Sequence, residues 1–214
     1  ERLIYGFKNG ELNADEVFDV KLFAKTFAIL DLFGHHHAAA KHNIRFYLNP
    51  VSGLIEPIPF DNTSIYPLEK WSLIGENFVM NTKEEQIDQN ESLVFPNVSY
   101  LNASSIMAAL FKSAKFNEEY LYSLNTFSKK DWLDNFFENI SSEEENTLNS
   151  IYRSYPWYRF QEKKILYSNQ NYILNKLNPN NALRAFIQKN PTENFEITIS
   201  NNHSLPIEVL GISK

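Results

Sequence analysis

Apolar residues recur at helical spacing from Asn13 to Phe33, with Val20, Phe23, Phe27 and Leu30 on one stripe. Asn13 followed by Glu16 predicts a capped helix start, and Gly34 predicts the stop. The stretch is apolar around much of its circumference, so it is expected to be buried. The period then changes. Ile44 to Leu48 alternates like a strand, Asn49-Pro-Val-Ser-Gly53 is rich in turn formers, and Leu54 to Phe60 is apolar and extended. Together they predict a β-hairpin. Pro57 and Pro59 lie two apart, so their missing N–H groups fall on one side of the second strand and mark it as an edge.

Residues 62–100 show no period, although Tyr66, Trp71 and Phe78 punctuate them. Polar Asn81 to Ser92 reads as an exposed excursion. Helical patterns follow over Ser104 to Lys115, Asn117 to Phe127, Ser128 to Asn139 and Ser142 to about Leu177. Ser128 to Asp131 and Ser142 to Glu145 have the form of capping boxes, and Pro156 is expected to kink or split the last helix. Phe195 to Ile199 and Leu205 to Leu210 read as two strands joined by Ser-Asn-Asn-His-Ser. This predicts an α+β chain: a mainly helical domain over 1–190 with a small hairpin, then the start of a β-rich module over 191–214.

Composition narrows the classes. The chain has 214 residues, 43% hydrophobic and 14% aromatic, which is a folding composition. A net charge of −6 gives no basic footprint, so nucleic acid is not expected as a partner. No apolar run reaches the length of a membrane span. Cysteine is absent, which removes disulfides, thiolate metal sites and cysteine nucleophiles. The first residues are Glu1-Arg2 without a leading Met, the form of a fragment or a processed chain.

Candidate chemistry gathers around the hairpin. The residue that enters the first strand and the one that leaves the second share one end of a hairpin. Asn43 and Asp61 hold those places. One carboxylate and one amide oxygen suit a hard cation such as Mg²⁺, which takes a few protein oxygens and leaves room for water and phosphate. The plainer alternative is that Asp61-Asn62 starts a turn and Asn43 ends a loop.

The segment FAILDLFGHHHAAAKHNIRFYLNPVSGLIEPIPFD, residues 27–61, resembles the spore-coat CotH-type protein-kinase family, in particular its exported bacterial members. The resemblance covers roughly residues 15–65. It implies an atypical kinase fold, with Mg²⁺ and ATP as cofactors and a protein hydroxyl as acceptor. Asn43 then matches the metal ligand of the catalytic loop and Asp61 the metal-binding aspartate, both holding the nucleotide through the metal. FEITISNNHSLPIEVLG resembles the β module that follows the kinase region in such exported proteins, which implies a place at the bacterial cell surface. Two departures matter. Ala38 stands where the family's pattern carries the aspartate that accepts the substrate proton, which raises a pseudokinase or adhesion scaffold as the alternative. Residues before 15 are too few for an N-lobe, so the glycine-rich loop and the ATP-binding lysine are expected upstream in the parent protein.

His35, His36, His37 and His42 flank the metal pair. His37 and His42 are the candidate general bases, because an imidazole titrates near neutrality. The cluster could instead bind a transition metal, or form a polar loop at a helix end. Tyr152, Tyr155, Trp157, Tyr158 and Phe160 are expected as a bundle core around Pro156, with a carbohydrate-stacking surface as the alternative.

Overall fold

The N-terminal helical run breaks at Phe18-Asp19, and the break ties helix to hairpin. The computed structural model describes residues 2–39, 43–61, 65–70, 72–76, 106–189 and 195–211. Two short helices, α1 (Arg2–Lys8) and α2 (Ala14–Val17), precede the long α3 (Val20–Phe33). The single helix expected from Asn13 to Phe33 is therefore two. Asn13 N–H donates to Glu16 as its pattern requires. Phe18, however, is extended and bridges Ile55, and Asp19 N–H donates to the Ile55 carbonyl at 2.9 Å. A tertiary hydrogen bond competes with the helix and wins. Asp19 restarts it by accepting from Leu22 N–H.

After α4 (His36–Ala39), β1 (Arg45–Leu48) and β2 (Ile55–Ile58) form the expected antiparallel hairpin, with Arg45 opposite Ile58 and Leu48 opposite Ile55. The turn is held by Asn49, whose side-chain oxygen accepts from Val51 N–H. A 3₁₀ turn (Leu68–Lys70) leads to helices α5 (Ile106–Phe111), α6 (Ala114–Phe127), α7 (Lys130–Asn139), α8 (Ser141–Ser154) and α9 (Glu162–Leu177). Ser113 ends the helix expected through Lys115 early, because its hydroxyl caps α6 by accepting from Phe116 N–H. Ser128 does not cap α7: its hydroxyl donates back to the Asn125 carbonyl. Pro156 does split the last helix, between Ser154 and Glu162. The expectations for Trp71, Phe78 and Asn81 to Ser92 lie outside the described residues.

α3 is the central element, packed against α6, α9, β2 and α4. Its buried face carries Phe23, Ala24, Phe27, Ala28 and Leu30. Phe23 lies beneath the hairpin, 6.1 Å from the Phe46 ring. Phe27 faces the other way, 5.9 Å from Phe111 and 6.0 Å from Phe116, so it joins α3 to α5 and α6. Among the described residues no helix is long and apolar enough to cross a membrane.

The C-terminal strands differ from expectation. β4 (Phe195–Asn201) pairs backwards with β3 (Leu183–Lys189), over a stretch where no strand was expected. The hairpin thus joins residues on both sides of the expected 190/191 boundary. Leu205 to Leu210 is not a strand. Leu205 is buried in the helical core, its carbonyl accepts from Asn201 Nδ2 at 2.8 Å, and Pro206 has no N–H to give a ladder. The architecture is mixed α+β and mainly helical, with two small antiparallel hairpins.

Candidate functional site

The end of α3 sets the site. Gly34 adopts φ +66° and stops the helix, donating its N–H to the Asp31 carbonyl. A Cβ there would sit 2.1 Å from the Tyr66 carbonyl oxygen, so both the turn and the approach of residue 66 require glycine. That carbonyl accepts from Asn169 Nδ2, which also reaches the Leu32 carbonyl. α4 follows at once, and its two adjacent histidines point to different partners.

His37 faces Asp61. Its Nε2 lies 3.1 Å from Asp61 Oδ2, and the two side chains are 54% and 40% exposed. Asn43 is buried and donates Nδ2 to the His37 backbone carbonyl at 3.0 Å. Asn43 and Asp61 thus each contact His37, one at its backbone carbonyl and the other at its ring. Asp61 adopts φ +63°, a left-handed conformation uncommon for a side chain other than Gly, Asn or Asp. Ala38 is fully buried behind them. Beside Asp61, the exposed Phe60 ring lies 5.9 Å from the Arg45 guanidinium. His42 lies outside the described residues.

His36 faces inward, to a cluster that the pattern did not reveal. Asp31 on α3 is fully buried. Its Oδ1 accepts from Ile74 N–H at 2.8 Å and meets His36 Nε2 at 3.1 Å, while Oδ2 accepts from the Tyr120 hydroxyl. A carboxylate with these neighbours can only accept, so His36 Nε2 carries the proton. Tyr120 in turn accepts from Gly75 N–H at 3.1 Å. Burial, reinforced by the Asp31 charge, pushes the Tyr120 hydroxyl well above its usual value. Nearby, buried Glu76 accepts from Leu73 N–H, Lys176 and Ser204. Burial alone would raise its carboxyl, but these donors outweigh it and hold it below the usual range. The legible signal was Asp31 itself, a charge on the apolar stripe of a buried helix, which must find partners.

The donor set at the strand-end is one half-exposed carboxylate, one buried amide and one imidazole. Among the described residues no group of three or more His, Cys, Asp or Glu side chains converges on a metal position. An open, mostly apolar groove of about 430 Å³ runs along α3 beside the site, past Leu22, Ile29, Phe33, His35 and Pro59. The aromatic group after α8 does not form the expected core: Tyr155 and Trp157 are exposed. No protein-family model, curated protein or solved structure matches the chain.

Proposed function

We propose that this chain supplies the C-lobe half of a CotH-like phosphotransferase, which moves a phosphoryl group from a nucleotide to a protein hydroxyl. The observation that carries the reading is that Asn43 and Asp61, the two residues to which the resemblance gives the metal, each contact His37. The donor set fits Mg²⁺, which binds through one or two protein oxygens and completes its shell with water and phosphate. Asp61 and Asn43 supply the ligands, and the chemistry gained there is neutralisation of charge on the phosphate oxygens. The reading requires an N-lobe and further nucleotide contacts from outside these 214 residues, and the resemblance behind it implies a place at the bacterial cell surface.

The chain's own residues do the rest. Asn43 Nδ2 is held by the His37 carbonyl, which fixes the orientation of the amide. His37 stands where Ala38 offers no carboxylate, and it receives the proton of the acceptor hydroxyl. The carboxylate of Asp61 orients its ring. The groove along α3 gives an extended acceptor segment room beside the site.

The second reading is a non-catalytic scaffold derived from the same fold. Buried Ala38 and the mutual satisfaction of Asn43, His37 and Asp61 favour it. Phosphotransfer by the full-length parent separates the two. In the enzyme, Asp61→Asn removes nearly all activity. His37→Ala costs less, about 10²-fold, at the lower end for a general base. Wild-type turnover in Asp61→Asn would rule out the mechanism, and an inactive wild type would leave the scaffold.

A further inference from the structure

The β1–β2 hairpin has one closed edge and one open edge. Asn49 N–H donates to the Leu54 carbonyl at 2.9 Å. With Leu48 opposite Ile55, the ladder bonds then fall at Tyr47/Glu56 and Arg45/Ile58, and the residues between turn their main-chain groups outward. On β2 these are Ile55, whose carbonyl accepts from Asp19 N–H, and Pro57, which has no N–H. On β1 they are Phe46 and Leu48. Among the described residues the sheet has two strands and nothing pairs with that edge of β1. Proteins guard such an edge with proline, lysine or a bulge. Arg45-Phe-Tyr-Leu48 has none of these and pairs in unbroken register.

An open strand edge binds another strand, through its main-chain groups. The layout of this edge selects which strand. Phe46 and Leu48 flank Tyr47 symmetrically. A second β1, antiparallel about a two-fold axis beside Tyr47, sets Phe46 opposite the partner's Leu48 and satisfies both outward N–H and both outward C=O groups of each strand. Tyr47 then meets its own copy as an aromatic cross-strand pair, and the exposed parts of Phe46 and Leu48 cover each other. Arg45 comes opposite the partner's Asn49, whose Nδ2 holds the Glu56 carboxylate at 2.6 Å. Guanidinium and carboxylate are therefore brought together twice, and no like charges lie opposite one another in the register.

Tyr47 and Leu48 are 47% and 55% exposed. Covering them, with Phe46 and the adjoining main chain, buries on the order of 1,000 Å² over the two copies, the size of a reversible interface. We propose that β1 is a self-association surface, at which two copies of this chain join their hairpins edge to edge into one four-stranded antiparallel sheet in the order β2–β1–β1–β2. The association is independent of any phosphotransfer at Asp61.

Sedimentation velocity from about 10 µM to about 1 mM should show a reversible monomer–dimer equilibrium. Tyr47→Lys sets two ammonium groups across the axis and should weaken the dimer at least about tenfold. Leu48→Pro removes an outward N–H without touching the β1–β2 ladder and should act in the same direction. Both variants should remain folded by circular dichroism, because the two side chains are exposed. The chain has no cysteine, so Tyr47→Cys carries a single thiol. It faces its own copy at the Cα spacing of about 4.5 Å of a non-hydrogen-bonded pair, within disulfide reach. Mild oxidation should link this variant into dimers much faster than Tyr122→Cys, at an exposed position on α6. A wild type that stays monomeric throughout overturns the proposal, as does a dimer that survives Tyr47→Lys. Linkage of Tyr47→Cys no faster than that of Tyr122→Cys overturns it equally.

Discussion

Tyr120→Phe removes one oxygen from the centre of the buried cluster. That hydroxyl donates to Asp31 Oδ2 and accepts from Gly75 N–H, and phenylalanine can do neither. Ring packing against Phe111 and Phe116 is kept. Two buried groups are then left one partner short, each at about 1–3 kcal/mol, so the expected loss is about 2–6 kcal/mol. That is a large part of the 5–15 kcal/mol of a typical domain. The variant also changes the alkaline limb. The folded-state hydroxyl is raised by burial and by Asp31, whereas the unfolded phenol ionises near about 10. The folded state therefore keeps a proton that the unfolded state gives up. The resulting stability is fully present below about pH 10 and declines above it by about 1.4 kcal/mol per pH unit. Urea unfolding followed by circular dichroism, at neutral pH and from pH 9 to 11, reads both effects. Tyr120→Phe should be less stable at neutral pH and should lose stability less steeply at high pH. A loss under about 0.5 kcal/mol, or an unchanged alkaline slope, would refute the hydrogen-bonded cluster.

Phe27→Ala opens the junction of α3 with α5 and α6 and should cost about 3–5 kcal/mol by denaturant titration; under about 1 kcal/mol would mean the ring is not core. Glu76→Gln should cost about 1.5–3 kcal/mol at neutral pH by removing charge-assisted bonds from Leu73, Lys176 and Ser204. Because the folded Glu76 carboxyl lies below its ordinary value, its contribution is present above that value and lost as pH falls through the folded one. The variant should therefore show a flatter acid limb, and an unchanged limb would contradict the assignment.

The hairpin was legible because alternation, turn residues and prolines all act locally and agree. The interruption at Phe18-Asp19 was not, because its cause is the Ile55 carbonyl across the fold. Leu183 to Lys189 escaped notice, since its strand character depends on pairing with β4. Leu205 to Leu210 misled by the same logic: its pattern suits a strand, but Leu205 is drawn into the helical core. Hairpin geometry placed Asn43 and Asp61 at the same end, and in the fold each contacts His37, one at its backbone carbonyl and the other at its ring. The inward turn of His36 did not, because its partner Asp31 takes its other side-chain donor from Tyr120, 89 positions along the chain. The outward-facing Tyr155 and Trp157 were misjudged because the helices on either side of Pro156 were expected to pack around the aromatic group, whereas α8, which leads into that turn, buries nothing.

The most direct test of the proposed cation site is isothermal titration of Mg²⁺ and ATP into the natural full-length protein and its Asp61→Asn variant. ATP should bind the wild type in a Mg²⁺-dependent manner, and Asp61→Asn should abolish the Mg²⁺ dependence while leaving the fold intact by circular dichroism. Equal Mg²⁺-dependent binding by both proteins, or none by the wild type, would contradict the assignment of Asn43 and Asp61.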